Sequence, residues 1–130
     1  MRRSGILNAA LAGHLARLGH TDTIVVADCG LPVPRTVPVV DLALRFGVPG
    51  FTTVLDALLD EIVVESSTAA REALNGPAGG WLDERRDRLG ELELVPHEQL
   101  KATVAGAAVV VRTGEATPYA NVVLHCGVPF

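Results

Sequence analysis

The run Thr23-Ile24-Val25-Val26-Ala27 constrains the fold more than any other segment of the chain. It is short, apolar and rich in β-branched side chains, and polar residues and Gly30 bound it. Such a run reads as a buried strand, of the kind found where a sheet is covered on both faces. Asp28 falls at its C-terminal end. The stretch that follows, Gly30 to Pro38, carries Pro32, Pro34 and Pro38, which exclude regular helix and predict an extended, stiff loop.

Helical signals surround that strand. Asn8 can cap a helix in which Leu11, Leu15 and Leu18 recur at helical spacing, with Gly19 ending it in the left-handed conformation. Residues 51–60 read as a helix capped by Thr52, residues 61–65 as a strand, and residues 67–74 as another helix. Gly76-Pro77-Ala78-Gly79-Gly80 breaks the pattern, and a charged helix follows over residues 81–89. The alternation in Glu91-Leu92-Glu93-Leu94-Val95 predicts a strand, after which Pro96 can open a helix with His97 in its first turn. Residues 107–112 and 121–126 read as two strands joined by the loop 113–120. Strands alternating with helices predict a three-layer α/β/α sandwich with a mostly parallel, mixed central sheet, and the short final loop predicts one antiparallel pair. Ligands of such sheets gather beyond the carboxyl ends of the strands, where Asp28 and the 113–120 loop fall.

A chain of 130 residues is expected to form one domain, residues 1–130. Apolar residues make up 48%, enough for a core, but one Trp, one Tyr and three Phe leave the packing to Val, Leu and Ala. The formal charge of −4, with basic residues scattered or interleaved with acids at Asp83-Glu84-Arg85-Arg86-Asp87-Arg88, offers no stripe for nucleic acid. There is neither a secretion-type leader nor an apolar run of about 18 residues, so a cytoplasmic protein without membrane insertion is expected. Cys29 and Cys126 could pair in principle, but a reducing compartment is the simpler reading.

The residues able to carry chemistry are His20, Asp28, His97, Tyr119 and Asn121, all on turns, a helix start or strand ends. His20 stands in Gly-His-Thr-Asp, where Asp22 or Asp28 could orient its ring; its plain alternative is a solvated loop histidine. Asp28 could equally end the strand by bonding to the next turn. His97 would feel the positive end of a helix dipole, which favours a neutral imidazole; otherwise it is a surface residue at a helix start. Tyr119 joins a flat apolar face to a hydroxyl and Asn121 supplies donor and acceptor, a pair suited to a polyhydroxy ligand, although a turn tyrosine covering the sheet edge is the simpler alternative. His14 reads as structural or partner-facing and His125 as packed. No paired-histidine or Cys-x-x-Cys spacing predicts a metal, and no glycine-rich phosphate loop is present, so chemistry without a cofactor on a neutral ligand is expected.

Leu-Gly-His-Thr-Asp at 18–22, Ala-Asp-Cys-Gly-Leu-Pro-Val-Pro at 27–34, Val-Asp-Leu-Ala-Leu-Arg-Phe-Gly-Val-Pro at 40–49, His-Glu-Gln-Leu at 97–100 and Arg-Thr-Gly-Glu-Ala-Thr-Pro-Tyr-Ala-Asn at 112–121 closely resemble the D-ribose pyranase family, in order and spacing, across nearly the whole chain. The related L-fucose mutarotases share a Gly-His loop and a strand ending in Asp, but Gly-Leu-Pro-Val-Pro looks like the ribose branch. Cys29 stands where many members carry alanine, and residues 75–89 depart from the pattern.

The resemblance implies a cytoplasmic isomerase that interconverts β-D-ribopyranose and β-D-ribofuranose, assembled from rings of identical subunits, often as a decamer of two pentameric rings. It implies His20 as the catalytic group and Asp28, His97, Tyr119 and Asn121 as substrate-binding residues, with Tyr119 to Asn121 reaching a neighbouring subunit's site. Asp28 would bind sugar hydroxyls or orient His20. The competing expectations are a mutarotase for L-fucose or another monosaccharide, and a sugar-binding accessory of a ribose transporter that does not catalyse exchange.

Overall fold

The computed structural model describes residues 1–130 and has a six-stranded sheet at its centre. The strands are β1 (Thr23–Ala27), β2 (Val39–Asp41), β3 (Val64–Ala70), β4 (Glu91–Val95), β5 (Val109–Arg112) and β6 (Val122–Cys126), in the order β2-β5-β1-β6-β3-β4. The helices are α1 (Ala9–Leu15), α2 (Phe51–Leu59), α3 (Pro77–Asp83) and α4 (His97–Thr103), with 3-10 turns at Arg71–Asn75 and Val104–Gly106.

Only β6 runs against the others. It pairs antiparallel with β1 on one side and β3 on the other, while β1 with β5, β2 with β5 and β3 with β4 are parallel pairs. The sheet is therefore mixed and mostly parallel, as expected. The short final loop does not form a hairpin, because β1 lies between β5 and β6.

Alternation along the central strands shows why both sheet faces are dry. Ile24 and Val26, Val109 and Val111, and Val122 and Leu124 face the cluster built by α1, α2 and α3. Val25 and Ala27, Val110 and Val123 face a second cluster with Leu31, Val37, Leu100 and Val104. These two clusters make the layers: three helices on one face, and α4 with the proline-rich loop on the other. Phe51, Leu55 and Leu58 of α2 are fully buried, and each burial contributes about 1.5–3 kcal/mol.

Several local expectations give way to tertiary contacts. Asn8 caps α1 by accepting the Leu11 N–H, but the helix stops at Leu15 and tightens into i→i+3 bonds. Gly19 is not left-handed; Thr21 is, at φ 72°, and Asp22 closes the turn by accepting the Gly19 N–H. Thr52 does not cap α2, whose first N–H, from Phe51, donates instead to the distant Glu115 carboxylate at 3.1 Å. Residues 67–70 continue strand β3 rather than forming a helix, because they lie between β6 and β4 and pair with both.

The glycine-rich segment at 76–80 does not interrupt structure. Pro77 opens α3, and Ala78, Gly79 and Leu82 are buried. The predicted charged helix is instead the end of α3 followed by turns, from which Arg85 reaches back to Asp56 with both carboxylate oxygens bonded, at 2.6 and 2.8 Å. That pairing holds Asp56 below the usual aspartate range, chiefly through the hydrogen bond from Arg85. Strand β2, short and at the sheet edge, was not expected from its sequence.

Candidate active site

Asp28, at the carboxyl end of β1, and His97, at the start of α4 after β4, meet the 113–120 loop around a pocket of about 470 Å³. The Cys29-Gly30 turn, Leu31, Pro32, Phe46 and residues 115–119 complete its wall. The pocket lies beyond the carboxyl ends of the parallel strands, where the strand pattern predicts a ligand.

Asp28 is held from two directions. One carboxylate oxygen accepts the Gly30 N–H at 2.9 Å, and the other accepts Asn121 Nδ2–H at 2.9 Å. Asn121 also accepts the Asp28 backbone N–H through Oδ1 at 2.8 Å. The carboxamide of Asn121 is fully buried, so it stands behind Asp28 rather than in the pocket lining. Both the strand-ending role of Asp28 and an open face for a ligand are thus present in one residue.

His97 and Tyr119 meet edge to face, with ring centroids 5.0 Å apart. The His97 backbone N–H donates to both oxygens of the Glu72 carboxylate, which fixes the start of α4 and with it the position of the residue. Its Nδ1 is buried with no partner. Tyr119 has φ 63°, and it and Thr21 are the non-glycine residues with positive φ. Such conformations cost about 1–3 kcal/mol and cluster where function demands them. Here one adjoins His20 and the other is itself a pocket residue.

The pocket wall is fixed by residues that sequence reasoning did not single out. Arg112 donates to the Cys29 carbonyl at 3.0 and 3.2 Å and to both oxygens of Asp41, pinning the loop after Asp28. Burial by itself would raise the Glu115 carboxyl, but N–H donors from Phe51, Thr117 and Ala116 and the Thr117 hydroxyl outweigh it and hold the group below the usual glutamate range. Gly114 lies so close to the Arg45 and Val48 carbonyls that a Cβ there would collide with them. Arg112, Gly114 and Glu115 all fall inside the recognised Arg-Thr-Gly-Glu motif, which was their only signal. Phe46 likewise lies within a recognised segment, whereas Glu72 has no local signal.

His20 lies elsewhere. It precedes β1 while Asp28 follows it, and the five residues of that strand alone span roughly 16 Å at about 3.3 Å each. Its ring is oriented by neither Asp22 nor Asp28: His20 Nε2 lies 2.9 Å from Glu65 Oε2. Tyr119 and Asn121, expected at a neighbour's site, sit beside Asp28 and His97 of their own chain, and His20 is the residue left apart. Cys29 and Cys126 are both free, at opposite ends of the sheet. No helix is long and apolar enough to cross a membrane.

Comparison with known proteins accounts for the whole chain. It is 59% identical over 130 residues to D-ribose pyranase 1 of Rubrobacter xylanophilus and 52% identical over 130 residues to D-ribose pyranase of Cutibacterium acnes, each match covering all of both proteins. The structure of Bacillus subtilis RbsD complexed with D-ribose superposes with a TM-score of 0.95 at 44% identity, covering 100% of each chain. A fucose mutarotase complexed with L-fucose from Streptococcus pneumoniae shares the fold at a TM-score of 0.78 and 21% identity, covering 95% of each chain. The model of the RbsD / FucU transport protein family matches residues 1–129, and the chain belongs to that family.

Proposed function

We propose that this chain is a D-ribose pyranase, an isomerase that interconverts the pyranose and furanose rings of D-ribose. The observation that carries this reading is the convergence of Asp28, His97 and Tyr119, remote in sequence, on one pocket in a chain whose 59%-identical relative is a D-ribose pyranase. The 44%-identical RbsD complexed with D-ribose supports the same substrate.

Ribopyranose is a cyclic hemiacetal. To open it, the anomeric hydroxyl loses its proton, C1=O forms, the C1–O5 pair returns to O5, and O5 takes up a proton. The C4 hydroxyl then adds to C1 and yields the furanose. A group that accepts the first proton and returns one to O5 serves both directions, because both oxygens are bonded to C1, and such catalysis contributes about 10²–10⁴-fold. His20 is assigned this exchange. Asp28 accepts hydrogen bonds from sugar hydroxyls, the Tyr119 ring and hydroxyl and the His97 imidazole hold the sugar, and Asn121 fixes Asp28 from behind.

The separation of His20 from the pocket supports a site completed between subunits, with one copy supplying His20 and another supplying Asp28, His97 and Tyr119. Phe46 in the pocket wall and Leu44 two residues before it, 82% and 80% exposed, supply apolar surface for that contact. The assembly proposed is a closed homo-oligomer, a decamer of two pentameric rings. The proposed location is the cytoplasm, where the free thiols of Cys29 and Cys126 would persist.

Saturation-transfer NMR on D-ribose, with and without the protein and after prolonged chelation, tests the activity. Faster pyranose–furanose exchange in both treatments is expected. Absence of acceleration on ribose alongside acceleration on L-fucose would transfer the reading to another sugar, and binding without acceleration would make the chain an accessory. Light scattering that found a fully active monomer would refute the shared site.

A further inference from the structure

The His20–Glu65 contact joins two segments held at one end of the sheet. Strands β1 and β3 flank β6 and run parallel to each other, so His20 before β1 and Glu65 at the start of β3 both lie beside the last residue of β6, Cys126. The backbone clamps both. Thr21 N–H donates to the Cys126 carbonyl, Cys126 N–H to the Asp22 carbonyl, and Gly127 N–H to the Val63 carbonyl, at 3.0, 2.9 and 2.9 Å.

Glu65 is placed by an irregularity. Val64 pairs with Cys126 and Ser66 with His125, so the ladder shifts register across Glu65, which is the extra residue of a β-bulge. Bulges re-aim a side chain that a regular strand would point elsewhere. The bulge is supported from the other side by Gly90, at φ 63°, where a Cβ would overlap the Glu65 carbonyl. Together with the left-handed Thr21 next to His20, two unusual backbone conformations are spent on bringing one carboxylate to one imidazole.

We infer that Glu65 is the positioning residue of the proton-transfer group, holding His20 in the tautomer whose Nε2–H donates to Glu65 and whose Nδ1 faces the sugar. A carboxylate only accepts, so the nitrogen it touches must carry the proton. The remaining nitrogen, Nδ1, is then the one free to take the proton of the anomeric hydroxyl and return it to O5. This inference rests on the reading of His20 as the proton-transfer group.

The test compares the parent with Glu65→Ala and Glu65→Gln, both at an exposed position and both examined as the assembled protein. Long-range ¹H–¹⁵N spectra of the His20 ring, assigned with His20→Ala, are expected to show a neutral ring protonated on Nε2 in the parent and a shifted tautomer balance in Glu65→Ala. Ribose exchange in Glu65→Ala is expected to fall at least roughly tenfold in kcat, part of the acid–base contribution, with KM within about twofold. Glu65→Gln, which keeps an accepting oxygen, is expected to recover part of that loss. An unchanged His20 spectrum, or an active parent matched in kcat by Glu65→Ala, would overturn the role of Glu65. A parent that fails to exchange ribose would instead overturn the proposed function, and the ring spectra would still decide whether Glu65 orients His20.

Discussion

Replacing Asn121 by leucine separates the support of Asp28 from the shape of the site. The two side chains are similar in size, so little cavity is opened, but leucine offers neither the Oδ1 that accepts the Asp28 N–H at 2.8 Å nor the Nδ2–H that bonds its carboxylate at 2.9 Å. An N–H left without an acceptor costs about 1–3 kcal/mol, and a lost hydrogen bond to a charged group about 1.5–3 kcal/mol. The carboxylate keeps its bond from the Gly30 N–H and faces an open pocket where water can replace the missing donor. The second loss is therefore discounted, and Asn121→Leu should destabilise the fold by about 2–4 kcal/mol. For a chain of this length that corresponds to a fall in Tm of roughly 6–16 °C. Thermal unfolding at equal protein concentration measures it, and ribose titration should show weaker binding because Asp28 has lost one of its two anchors. A double-mutant cycle with Asp28→Ala isolates the coupling, since residues in one hydrogen-bond network do not add. A variant that melts within a degree of the parent and binds ribose as well would refute the claim that Asn121 acts through Asp28.

Three further outcomes follow from the same geometry. His20→Ala should keep its melting temperature and much of its ribose affinity while losing most exchange activity, whereas Asp28→Asn should show its effect chiefly in affinity; parental exchange by His20→Ala would move the proton-transfer role to His97. Gly90→Ala should destabilise by about 2 kcal/mol or more, since a non-glycine residue at φ 63° is strained and its Cβ meets the Glu65 carbonyl, and denaturant unfolding with an unchanged midpoint would contradict that packing. Because the folded value of Glu115 lies below the ordinary 4.5, its contribution to stability is present above pH 4.5 and is lost as pH falls through the lowered value; Glu115→Gln should flatten that part of the acid unfolding profile, and an identical profile would argue against the capping of α2 by this carboxylate.

Local chemistry settles part of this molecule. Thr23 to Ala27 is a strand because consecutive β-branched and apolar side chains suit a position covered on both faces, and Glu91 to Val95 is one because its apolar residues alternate. Asn8 caps its helix for reasons contained within a few residues. The recognised motifs likewise bring out Asp28, His97, Tyr119 and Asn121 without coordinates, and the structure gathers the first three around one pocket with the Asn121 carboxamide behind Asp28. Where the neighbours are distant in sequence, the tertiary structure decides. Residues 67–70 carry the helix-favouring Ala69 and Ala70 but are held as strand by ladders on both sides, and β2 exists because β5 offers it a partner. The last two strands are split by β1, a choice no loop length encodes. His20 is set apart from the pocket simply because a strand has two ends, and its partner Glu65 is 45 positions away, aimed at it by a bulge that exists only once β3 has paired with β6. A contact of that kind depends on the register between strands, a long-range property that a short stretch of side chains does not carry.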